Sequence, residues 1–204
     1  HSFPTRRSSD LFLKGDPIMK NILADWKLIL GFFLAFVLLY FSFDHPKVFW
    51  YYIPGTYLFL IAYAIFQEEV DDKAPLKTYL FYGLISGLLI YAIFWLGNAT
   101  FHLLDLNLLD RQLSRLYAKL APEDIWNFAV LILIIIPGEE IFWRGFILKR
   151  LSKGFPLWTS ILLASALYSI VYLFTDYPIL VIAGLICGSL WGALYTWKKS
   201  LPLV

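Results

Sequence analysis

Residues 126–144 read WNFAVLILIIIPGEEIFWR: an uncharged apolar run, then proline and glycine, two adjacent glutamates, Glu139 and Glu140, and Arg144 four residues beyond the second. A run this apolar enters a bilayer. A charge at bilayer depth costs about 3 kcal/mol or more, so ionisable side chains inside a span mark function by default. No other apolar run carries a charge in its interior. This stretch therefore sets both the class of the protein and the expected place of its chemistry.

Six apolar runs, each about long enough for a membrane helix, lie near 27–43, 47–66, 78–96, 125–148, 157–174 and 178–197. The fourth reaches full length only by including its glutamates. The chain is 60% hydrophobic and 19% aromatic, and its charges cluster between the runs. The expected fold class is all-α, a polytopic transmembrane helix bundle of about six spans plus an amphipathic interfacial helix. A net charge of +2 gives no sign of a nucleic-acid partner. With the amino end inside, the inner segments hold Lys20, Lys27, Lys73, Lys77, Arg144, Lys149, Arg150, Lys153, Lys198 and Lys199, against Lys47, Arg111, Arg115 and Lys119 outside. The positive-inside rule then puts both ends in the cytoplasm.

Three regions are expected. Residues 1–18 begin HSFPTRRSSDL, which reads as translated adapter sequence ahead of Met19, the only methionine. Residues 19–120 hold three spans and an amphipathic helix, and 121–204 hold the motif and two further spans. The basic lead MKNILADWK has no small-residue cleavage site, and the final Leu201, Pro202, Leu203 and Val204 read as the start of a further span, cut short.

The connections differ in character. Residues 67–77 (QEEVDDKAPLK) read as a charged solvent loop without a functional role. Leu106, Leu109, Leu113, Leu116, Tyr117 and Leu120 recur at helical spacing, while Asp110, Arg111, Arg115 and Lys119 fall largely on the other side, as on a helix that lies in the interface or packs on the bundle. Pro122, Glu123 and Asp124 are read as the first turn of the fourth span. Gly184, Gly188 and Gly192, and Gly83 with Gly87, are small-residue ridges suited to close packing of membrane helices. The single Cys187 reads as a buried structural thiol.

Glu140 and Arg144 are four apart, so on a helix they share a face and can pair, whereas Glu139 points about 100° away. One carboxylate is neutralised and the other is free. A free carboxylate in a poorly solvated pocket is a candidate general base, able to take a proton from water as it attacks a carbonyl. Pro137 and Gly138 are expected to interrupt the helix and open a small polar cavity. The competing reading is an interfacial Glu–Arg pair at a helix end. A glutamate pair without nearby His or Cys is no recognisable ligand set, and neither metal nor cofactor is expected.

PGEEIFWRG, residues 137–145, resembles the EExxxR signature of the CPBP family, the CAAX-processing and bacteriocin-processing glutamic intramembrane endopeptidases. The basic KRLSKG after it, the small-residue span SILLASALYSIVY and the glycine-ridged span extend the resemblance over about 121–204. It implies that Glu139 activates water and that Arg144 supports Glu140. It also implies membrane lipid and a peptide or protein substrate, lipidated or bacteriocin-like, as partners, in a prokaryotic plasma membrane. The family's FxxxH motif should put histidine on the next span, where this chain has Tyr172. His45 and His102 lie before the motif, in connections. Glu139, Glu140, Arg144 and Tyr172 are the candidate catalytic residues. A non-catalytic relative, binding or immunity protein, is the second reading, and an ion-coupled carrier the third.

Overall fold

The computed structural model describes residues 25–69, 76–103 and 107–198, and every regular element among them is helical. The adapter-like segment and the final four residues lie outside the described residues. In chain order the helices are α1 (Trp26–Asp44), α2 (Phe49–Gln67), α3 (Leu76–Leu103), α4 (Asn107–Leu120), α5 (Ile125–Leu151), α6 (Leu157–Ile170) and α7 (Ile179–Lys198), with a 3-10 turn at Pro46–Val48. The chain is an all-α membrane bundle: α1, α2 with its preceding turn, α3, α5 and α7 are each long and apolar enough to cross a bilayer. Asp25 starts α1 by accepting from the Lys27 and Leu28 amides at 3.2 and 3.3 Å. Pro46 closes it by holding His45 out of the helical region.

The expected fifth span is shorter than its hydropathy suggests. α6 has 14 residues, about 21 Å of helix against a hydrocarbon core of about 30 Å. Val171, Leu173 and Phe174 are apolar but belong to turns. The Thr175 hydroxyl donates to the Tyr172 carbonyl (2.8 Å) and accepts from the Tyr177 amide (3.3 Å), and Pro178 stands just before α7. Tyr172 therefore sits in the turn after α6, not on the helix. His102 lies in the last turn of α3 rather than in a connection.

α5 also differs from expectation, because Pro137 and Gly138 do not interrupt it. The helix runs on through two widened π turns, Leu131–Ile135 and Ile141–Leu148, and the Ile136 amide donates to the Leu131 carbonyl five residues back. Widening on both sides of Pro137 absorbs its missing N–H and its ring within a continuous helix. Asp124 is the residue before the helix, so Pro122 precedes α5 instead of entering its first turn.

Glycines fix how closely α5 is approached. A Cβ on Gly138 would sit 2.9 Å from Tyr57 Cβ, and one on Gly31 would sit 2.7 and 2.8 Å from the rings of Phe146 and Tyr63. α2 and α1 thus cross α5 at glycine contacts. Between α6 and α7, Gly184 faces Ser169, Gly188 faces Ser165 and Gly192 faces Ile161, at 3.0–3.3 Å for an added Cβ, as the ridge on α7 predicts. On α3, a Cβ on Gly87 would meet nothing within 4 Å, and none of the helix's apolar window is buried. The ring of Tyr82 on α3 meets that of Trp197 on α7 at 5.4 Å.

Charges tie the ends of α1, α2 and α5 together. Arg150 grips Asp25 at 2.6 and 2.8 Å and places its Nε 3.0 Å from Glu68, which also meets Lys153 at 2.6 Å. The Lys149 ammonium donates to the Glu69 carbonyl at 2.7 Å. The segment read as a solvent loop without a role therefore holds, as its second residue, an acid that anchors the motif helix. Asp25 feels partial burial, which alone would raise its pKa, but the Arg150 hydrogen bonds and charge and the two amides outweigh it and hold the carboxyl below its usual range.

Candidate active site

Glu139 and Glu140 fall in one turn of α5 and point apart, as helical spacing requires. Glu140 turns inward and meets Arg144 at 3.1 Å, with both side chains almost fully buried. A buried charge needs more than one partner. The Arg144 guanidinium also donates to the Cys187 carbonyl on α7 at 3.3 Å, and it lies 5.2 Å from the Tyr168 ring and 5.4 Å from the Trp191 ring. Arg144 thereby links α5 to α6 and α7. Cys187 is only half-buried; its backbone oxygen supports the ion pair, and the residue lines the adjoining cavity.

Glu139 is half-buried at the wall of that cavity. Three phenols donate to its carboxylate: Tyr57 to Oε1 at 2.7 Å, Tyr168 to Oε2 at 3.1 Å and Tyr172 to Oε1 at 3.4 Å. The last is long for an O–H···O bond and is the weakest of the three. All three tyrosines are buried, and they come from α2, α6 and the turn after α6. The Gly138–Tyr57 contact explains the shortest bond, since only a glycine lets α2 come close enough for Tyr57 to reach the next residue along α5.

The cavity measures about 400 Å³ and is bounded by α1, α2, α4, α5, α6 and α7. Its wall includes Trp50, Tyr57, Leu116, Leu131, Tyr168, Tyr172, Ala183 and Trp191. The expected amphipathic helix is present as α4, packed on the bundle, with Leu120 buried and Leu116 partly buried against the core; Leu106 lies outside the described residues. Gly184 from the small-residue ridge also reaches the wall, so the close packing of α6 and α7 shapes the site.

The four candidate residues are thus gathered around one turn: Glu140 and Arg144 behind it, Glu139 and Tyr172 at the cavity. Tyr57 was not among them, and neither was Tyr168. Tyr168 precedes Tyr172 by four residues in the same apolar stretch. Tyr57 carries a fainter signal, a hydroxyl in mid-span with no polar neighbour in sequence except Thr56. No histidine lines the cavity among the described residues, nor do any three His, Cys, Asp or Glu side chains cluster there as metal ligands. His45 is exposed, with its Nδ1 3.1 Å from the Phe41 carbonyl.

Comparison with known proteins agrees with the motif. Residues 121–204 match the family described as Rce1-like, type II CAAX prenyl endopeptidase Rce1-like. Over that segment the chain is similar to the CPBP family of membrane-embedded peptidases. No curated protein and no solved structure matches it.

Proposed function

We propose that the chain is an intramembrane endopeptidase in which Glu139 activates water. The observation that carries this reading is the placement of Glu139, a carboxylate on a cavity wall whose neighbouring glutamate is already paired with arginine. In the proposed reaction Glu139 takes a proton from water as its oxygen attacks the peptide carbonyl carbon. The tetrahedral oxyanion accepts hydrogen bonds from phenols of the Tyr57, Tyr168 and Tyr172 cluster. The C–N bond then breaks, and Glu139 returns the proton to the leaving amine. Glu140 and Arg144 act by position, fixing the helix turn that carries Glu139. The substrate is a peptide or protein, lipidated or bacteriocin-like, cleaved near the cytoplasmic face of a prokaryotic plasma membrane, with both chain ends cytoplasmic.

One observation favours a second reading, a relative that binds substrate without cleaving it. Tyr172 stands where the family pattern has histidine, and a phenol at neutral pH donates a hydrogen bond but does not accept a proton as imidazole does. The two readings separate in a cleavage assay on membrane-tethered peptides in liposomes. The peptidase reading expects slow cleavage by the wild type, about 10² to 10⁴-fold loss in Glu139→Gln, and faster cleavage in Tyr172→His, which restores an imidazole beside the carboxylate. Cleavage that survives Glu139→Gln contradicts the glutamate base. No cleavage by wild type or Tyr172→His supports the binding protein.

A further inference from the structure

The cavity sets the carboxylate that the peptidase reading uses as a base beside a wall of aromatic rings whose faces that reading leaves unused. Among the described residues its lining holds one acid, Glu139, and no lysine, arginine or histidine. Arg144 is spent on Glu140, and among the described residues Glu139 has no ion-pair partner, only phenol donors. The wall beside it is a continuous run of aromatic rings. Trp50 meets Phe49 at 5.5 Å, Phe49 meets Phe43 at 5.2 Å, Phe43 meets Tyr172 at 5.6 Å, and Tyr172 meets Tyr168 at 5.6 Å. Aromatic faces with a nearby anion and little water are the chemistry that holds organic cations. The protein already uses one of these rings in that way, since Tyr168 has the Arg144 guanidinium 5.2 Å from its centroid.

We propose that this cavity is a binding site for an ammonium group carried on an apolar body, with the ammonium at Glu139 and the body along the aromatic wall. A volume of about 400 Å³ lies within the roughly 300–1,000 Å³ of small-molecule sites, and the mostly apolar lining with one convergent charge matches their make-up. A neutral amphiphile meets the same wall but leaves Glu139 unpaired. An anionic one is repelled. This goes beyond the peptidase reading, because such a ligand is held and contains no bond for the site to hydrolyse.

The test is equilibrium binding of radiolabelled octyltrimethylammonium to the protein in nanodiscs of zwitterionic lipid, with labelled octanol as the neutral counterpart. The expected result is saturable binding at one site per chain, with octanol weaker by about tenfold or more because it forgoes the charge pairing. Glu139→Gln lowers ammonium affinity by about tenfold or more, and Trp50→Leu, which removes a ring but no charge, lowers it by about threefold. Octanol binding as tightly as the ammonium overturns the proposal, as does a folded Glu139→Gln protein that binds like the wild type. The comparison of the two ligands on the wild type decides the matter even if the variant does not fold. Peptide cleavage is not read in this assay, so its failure leaves the peptidase reading standing.

Discussion

Replacing Gly138 by alanine tests whether the site depends on the contact between α2 and α5. The new Cβ would lie 2.9, 3.1 and 3.2 Å from Cβ, Cδ1 and Cγ of Tyr57, a residue 1% exposed. Carbon atoms rest at about 3.5–4.0 Å, so the helices must part by roughly 0.5–1 Å. Overpacking of this kind costs about 1–3 kcal/mol. Alanine also gains about 1 kcal/mol over glycine inside a helix, which offsets part of the loss. Gly55, on α2, isolates that gain, because a Cβ there meets nothing within 4 Å. The difference in melting temperature between Gly55→Ala and Gly138→Ala thus reports the steric term alone, at about 2–4 °C per kcal/mol for a chain of this size. Thermal unfolding in nanodiscs should place Gly55→Ala at or above the wild type and Gly138→Ala below Gly55→Ala. Parting by the same distance stretches the 2.7 Å Tyr57–Glu139 bond to about 3.2–3.7 Å, which weakens or breaks it, so cleavage or ligand binding should fall as well. A Gly138→Ala protein as stable as Gly55→Ala would refute the close crossing.

The buried ion pair predicts strong coupling. Arg144→Met and Glu140→Gln should each destabilise by about 3–5 kcal/mol, because each leaves a buried charge without its partner, and the double variant should lose less than their sum by about 1 kcal/mol or more in denaturant unfolding. Additive losses would mean that the 3.1 Å contact carries no energy. Asp25 predicts an acid limit to stability. Its carboxyl is held below the usual range in the folded protein, so its contribution is present above the unfolded value of about 4 and is lost as pH falls through the lower folded value. Asp25→Asn should flatten the melting temperature against pH below about 4, and an unchanged acid slope would rule out the Arg150 contact as its source.

Much of the site was legible because it is local. The Glu140–Arg144 pair follows from a spacing of four, and the outward turn of Glu139 follows from the 100° step between neighbours. The phenols were only partly legible. Tyr168 and Tyr172 come from the next apolar stretch, whereas Tyr57 reaches Glu139 across 82 residues and reads in sequence as one more aromatic residue in a span. The contact that admits it was visible as Gly138, but a glycine after a proline reads as a break, and the π turns that carry α5 past Pro137 have no hydropathy signature. The Asp25–Arg150–Glu68 network was hidden for the same reason as Tyr57, with 125 residues between the first two partners. Hydropathy also extended α6 into turns, because it counts apolar residues without asking whether their backbone is helical.

The central claim is that Glu139 acts through water and not as a nucleophile itself. A single turnover in heavy-oxygen water, with enzyme in excess over peptide, tests it directly. If Glu139 only takes a proton, the label enters the new carboxyl terminus of the cleaved peptide and the Glu139 side chain, read by mass spectrometry of its own fragment, stays unlabelled. Label in Glu139 would mean that its carboxylate had attacked the peptide and been released by water, and would contradict the account.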